Sequence, residues 1–90
     1  MPNLYKRRRD LGWQLIDEKA VVVDDAEGKV FHLNAVGTEI WKGLEEALTE
    51  DQIVKNLTDC FDQKEDAIRR DTNKFLKELC KLDLIQKENA

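Results

Sequence analysis

The spacing of apolar positions along this chain changes period once, at Asn34. Before it the apolar residues come in short β-like segments. Trp13–Ile16 alternates loosely, Ala20–Val23 is compact and β-branched, and Lys29–Leu33 alternates again. Each reads as a strand. Asp17–Lys19 is a polar break between the first two. Asp24–Gly28 reads as a tight hairpin connection, with Asp24 and Asp25 at the turn start and Gly28 where a positive φ is commonly needed. Three strands joined by short polar turns predict an antiparallel meander.

From Asn34 onward the period is helical. Asn34 is placed to cap a first helix over about Ala35–Leu44, whose apolar face begins with Val36, Ile40 and Trp41. Thr49–Gln52 has the form of a capping box and predicts a second helix to about Cys60, with Ile53, Leu57 and Cys60 on one stripe. Asp62–Glu65 repeats the capping pattern with Asp62 in the cap and predicts a third helix to about Leu82. Its seam is Ile68, Thr72, Phe75, Leu79 and Leu82, at alternating steps of four and three. Leu84 and Ile85 are expected as a terminal extended piece on the core. The fold class is therefore α+β. A three-stranded antiparallel sheet is followed by three helices, winged helix-turn-helix-like, because neither layer buries its apolar face alone.

Ninety residues allow one core. Residues 13–86 read as the domain, and 1–12 as a basic N-terminal arm that is poorly ordered. Lys6–Arg9 in that arm is either a solvated run or an electrostatic handle for an acidic partner. The net charge of −4 argues against nucleic acid and anionic membrane as partners. No run approaches the ~20 apolar residues of a membrane span, and no apolar run follows Met1, so a cytoplasmic location is expected.

Candidate chemistry is sparse. The chain has no serine, one histidine (His32) and no glycine-rich phosphate loop. Cys60 and Cys80 lack metal-ligand or redox spacing and read as reduced, buried thiols. No catalytic residue, metal or cofactor is expected, and the chain is not read as an enzyme. The order of elements also suits a winged-helix DNA-binding protein. Yet positions 62–83 carry six basic and six acidic side chains, which leaves the third helix no net charge for a phosphate backbone. A structural subunit that dimerises through a sheet edge is a further alternative.

The flanks of the third helix carry the functional expectation. With Ile68, Phe75 and Leu79 facing the core, Arg69, Asn73, Leu76 and Cys80 share one flank at 100° per residue. Asp71, Lys74 and Glu78 hold the other, which looks solvated. The first flank is wide and apolar enough to form one wall of a groove. Lys29–Leu33 is the natural second wall, with Phe31 and Leu33 on one face and Val30 and His32 on the other. A strand with a free edge accepts an incoming peptide as an added strand. The expected peptide-binding set is Val30, Phe31 and His32 with Arg69, Asn73, Leu76 and Cys80. Arg69 pairs with an acidic peptide residue, and Leu76 and Cys80 contact an apolar one. The alternative for Phe31 is a place in the core.

Val21–Val23, the hairpin to Gly28, Val30–Asn34 and Gly37–Trp41 together resemble the PqqD family. The capped helix after Thr49, the helix ending near Phe61 and the long helix finishing in Leu82–Ile85 continue the match over roughly residues 13–86. That family's domain is also called the RiPP recognition element. The resemblance implies a winged helix-turn-helix domain that binds the leader of a ribosomal precursor peptide. The leader adds as a strand beside the third strand and contacts the third helix. It further implies a peptide chaperone that presents its cargo to a modifying enzyme, often a radical SAM protein, as in pyrroloquinoline quinone biosynthesis. The chain departs from the family at Gly43–Leu48, where an Asp-Gly turn is usual, and in its basic arm.

Overall fold

A computed structural model describes residues 3–89, so Met1 and Pro2 of the expected arm and Ala90 lie outside the described residues. The elements in order are β1 (Asn3–Arg7), β2 (Gly12–Ile16), β3 (Lys19–Asp24), β4 (Lys29–His32), α1 (Ala35–Gly43), β5 (Leu48–Thr49), α2 (Glu50–Cys60), α3 (Glu65–Lys81) and β6 (Ile85–Asn89). The expected meander is the antiparallel sheet β2-β3-β4, and the three expected helices follow it. The winged arrangement is an analogy with that order. Asp17 and Glu18 both take positive φ, 52° and 68°, which makes the β2–β3 link a two-residue hairpin turn. Gly28 closes the next hairpin at φ 65°.

A second sheet, β5-β1-β6, also forms; of its strands the hydrophobic pattern marked only the start of β6, the extended piece expected at Leu84 and Ile85. The basic arm is its middle strand. Asn3–Arg7 pairs with β6 in continuous register from Asn3–Asn89 to Arg7–Ile85, and Leu4 and Tyr5 pair with Thr49 and Leu48. The arm is thus a paired strand rather than a poorly ordered segment. Its backbone also reaches the core: the amides of Arg7 and Arg8 donate to the carbonyls of Leu44 and Leu84. The Arg7 guanidinium packs over the rings of Trp13 and Trp41, 4.8 and 5.6 Å from their centroids, and donates to the Trp41 carbonyl. The two indoles meet edge to face at 6.3 Å. Cation–π contact with two rings explains why a strand ending in arginine seats against the core.

Two caps stand where the sequence puts them. The Asn34 carboxamide accepts the Gly37 amide at 2.8 Å, and Thr49 and Gln52 complete a reciprocal capping box. The third does not. The Gln63 amide turns back to the Phe61 carbonyl at 3.0 Å, which delays the helix, so Lys64 rather than Asp62 holds the cap position and has no capping side chain. Glu65 and Asp66 in the first turn face the positive helix end instead. At the far end Asp83 takes φ 62°, and the amides of Leu84 and Asp83 return to the carbonyls of Leu79 and Cys80. That Schellman closure turns the chain from α3 into β6.

The core lies between the sheets and the helices, centred on Trp41, Ile40, Leu44, Val54, Leu57, Leu76 and Leu84. The seam of α3 is rotated from its expected position. Ile68, Thr72, Leu76 and Leu79 are buried, Phe75 is half-buried and Leu82 is 49% exposed. No described helix is long and apolar enough to cross a membrane.

Candidate functional site

β4 is an edge strand, and one hydrogen bond establishes what its edge presents. The Leu33 amide donates to the Ala20 carbonyl at 2.9 Å. Antiparallel ladders alternate, so Leu33 and Phe31 turn their backbone groups toward β3, with Phe31 opposite Val22. Val30 and His32 therefore turn their amides and carbonyls outward. β4 pairs with β3 alone among the described residues. The Val30 side chain is 55% exposed and His32 is exposed, while Phe31 is half-buried against the core.

The junction behind this edge is held firmly. Ala20 has both backbone groups engaged with it: its carbonyl takes Leu33, and its amide donates to the Thr38 hydroxyl at 2.8 Å, inside the core. Gly37 leaves room for Phe75. A side-chain carbon at that position meets the Phe75 ring at 3.1 Å and the Asn34 carboxamide at 3.3 Å. The Phe75 ring consequently seats at the point where β4 turns into α1.

Beside β4 a cleft of about 370 Å³ opens toward α3. Phe31 and Lys29 line it from the strand, and Lys81, Leu82 and Asp83 from the end of the helix. Arg8 also lines it. Its guanidinium donates to Asp10 at 2.6 Å and to the Asp83 carbonyl at 2.9 Å, and lies 3.8 Å from Asp24. The hydrogen bond to Arg8 holds the Asp10 carboxyl below its usual range.

The expected site residues divide. Val30, Phe31 and His32 stand together on β4. Arg69, Asn73, Leu76 and Cys80 do not share a groove with them. Arg69 donates to Asp51 at 2.7 Å and lies 3.7 Å from Glu50, both on α2, and Asn73 donates to Glu50 at 3.0 Å. Leu76 is 1% exposed and belongs to the core. Cys80 faces the second sheet near Tyr5 and Lys87, where burial pushes its thiol above the ordinary value despite the lysine. The physical reason is the neighbour on that shoulder of α3: α2 and β6 pack there. The shoulder toward β4 carries Phe75 and Leu82, with Asp71 and Glu78 on the same stripe by helical spacing. That shoulder was expected to be solvated. The acidic first turn of α2, Glu50 and Asp51, was the signal in the sequence that pointed Arg69 elsewhere. Among the described residues no group of three or more histidine, cysteine or acidic side chains is arranged to hold a metal.

The sequence profile of the family described as coenzyme PQQ synthesis protein D (PqqD) matches residues 19–85. The chain belongs to the PqqD family. No curated protein matches it significantly. Among solved structures, TbiB1 in complex with the TbiA(beta) leader peptide is similar, with 28% identity and a TM-score of 0.80 over 90% of this chain and 94% of the other. The family match runs from β3 through the start of β6 and so includes the β4 edge and α3. β1 and β2 precede it.

Proposed function

We propose that this PqqD-family chain is a non-catalytic adaptor that binds the leader of a ribosomally made precursor peptide and presents it to a modifying enzyme. The observation that carries this reading is the β4 edge. Val30 and His32 offer outward amides and carbonyls next to a cleft shared with α3. Strand addition uses that combination, with main-chain hydrogen bonds for affinity and side pockets for selection. The similarity to TbiB1, solved with a leader peptide, supports the same reading.

In this reading the peptide lies antiparallel or parallel to β4. Alternate side chains enter the cleft against Phe31 and Leu82, and the others stand beside Val30. The cleft is lined by both signs, Lys29 and Lys81 with Asp24, Glu27 and Asp83, so it suits a peptide that carries both. The modifying enzyme we propose is a radical SAM protein, on the strength of the family resemblance.

Calorimetric titration with synthetic leader peptides, the TbiA(beta) leader among them, tests the reading. His32→Pro removes one outward amide without touching the β3 ladder. It is expected to weaken binding about tenfold, by one main-chain hydrogen bond of about 1 kcal/mol and the distortion of its neighbours. Leu82→Asp is expected to weaken it further. Wild-type affinity in both variants contradicts the assignment.

A further inference from the structure

The same sheet has a second edge, formed by β2. β2 pairs with β3 alone among the described residues. Because Ala20 and Val22 turn toward β4, Val21 and Val23 turn toward β2, where they meet Gln14 and Gly12. Trp13 and Leu15 therefore send their amides and carbonyls outward. Natural edges are usually blunted by charge, proline or a bulge. Gly12–Ile16 has no charged residue and no proline, and it pairs with β3 through five consecutive positions without a bulge. Four large apolar side chains are markedly exposed: Leu15 at 49%, Ile16 at 48%, Val30 and Leu82. The last two flank the peptide edge. The first two stand at the end of β2.

We infer that β2 pairs with β2 of a second copy of this chain, antiparallel about a twofold axis at Gln14. The register is self-complementary. Trp13 falls opposite Leu15 of the copy, so the outward groups of both residues match in four main-chain hydrogen bonds. Gly12 falls opposite Ile16 of the copy. A side-chain carbon on Gly12 meets nothing within 4 Å, so open space stands there to receive the isoleucine.

Charge completes the fit. Past Ile16 the copy continues into its acidic turn, Asp17 and Glu18, both exposed. The register brings that turn to Leu11. There a cleft of about 550 Å³ is lined by Arg7, Arg8 and Arg9, by Leu11 and Trp13, and by the acidic Glu45 and Glu46. Arg7 is engaged by two indoles, and Arg8 by three carboxylates. Arg9 is exposed and has no ion pair among the described residues, which leaves it to take Asp17 of the copy. The twofold axis repeats each contact. The product is a continuous six-stranded sheet with a β4 edge free at either end.

Sedimentation velocity from micromolar to near-millimolar protein tests this inference. Wild type is expected to pass from monomer to dimer. Leu15→Lys is expected to stay monomeric at every concentration while keeping its melting temperature. Arg9→Glu and Asp17→Arg are each expected to weaken the dimer about tenfold, and the double variant to recover it, because the reversed charges meet again across the axis. Both sites are exposed, and because Asp17 takes positive φ in its turn, the melting temperature of each variant is measured alongside to establish that it folds. A wild type that stays monomeric throughout overturns the inference. So does Leu15→Lys with wild-type dimerisation, or a double variant whose losses simply add.

Discussion

Leu33 donates its amide to the carbonyl of Ala20, and this bond determines that Val30 and His32, not Phe31, face outward from β4. A one-residue slip exchanges the two sets and turns the outward groups inward. Thr38 protects the register by taking the Ala20 amide inside the core. Thr38→Ala leaves that buried donor unpaired. The variant is expected to lose about 1–3 kcal/mol in chemical denaturation. Thr38→Ser, which restores the hydroxyl, is expected to recover most of it.

Thr72 offers the opposite case. It is fully buried in α3, and its hydroxyl has no hydrogen-bond partner among the described residues. The hydroxyl is desolvated without compensation. Thr72→Val removes it at nearly constant shape and is expected to leave stability unchanged or raise it by up to ~1 kcal/mol. A loss above that range indicates a partner for the hydroxyl in solution.

The two cysteines are expected to react in order. Cys60 is exposed, whereas Cys80 is half-buried and its thiol is pushed up by burial. Less thiolate and less access both slow Cys80. With a thiol reagent at neutral pH, Cys60 is expected to be modified first and Cys80 last. Because the folded thiol titrates higher than the unfolded one, its contribution to stability is complete below the unfolded value. That contribution fades as pH rises through the folded one. Leader peptide at the β4 edge is expected to leave the Cys80 rate unchanged, since Cys80 faces β1 and β6.

Asp83 holds a left-handed conformation at the end of α3, with φ 62°. Asp83→Gly relieves this, and the bond from Arg8 to the residue 83 carbonyl survives the change. The side-chain pair at 3.4 Å is lost, but the carboxylate is highly exposed and its pair is weak. Stability in thermal melts is expected to rise by up to about 1 kcal/mol.

The local signals in the sequence were strong where single residues decide an outcome. Asn34 and Thr49 cap because their side chains reach amides three residues away, and Ala20–Val23 forms a strand because its run is uniformly apolar and mostly β-branched. The second sheet lay outside such signals. β1 and β6 are polar and lie some eighty residues apart, so their pairing depends on the packed core bringing them together. Arg7 reads as surface charge until the folded core brings two indoles against it. The third helix shows a subtler limit. Ile68, Phe75, Leu76, Leu79 and Leu82 span an arc wider than one neighbour covers. Periodicity groups those residues but does not say which element sits on each shoulder. α2 took the side of Leu76, and Phe75 was left to the side of β4.

The β4 edge is tested most directly by amide-resolved NMR of the free chain and of the chain with its leader peptide. Without peptide, the outward amides of Val30 and His32 are expected to exchange rapidly, and those of Phe31 and Leu33 slowly. With peptide, Val30 and His32 are expected to shift and to become protected, while Arg69 and Asn73 on the α2 side stay unchanged. Shifts confined to α2, with Val30 and His32 still unprotected at saturation, contradict strand addition at this edge.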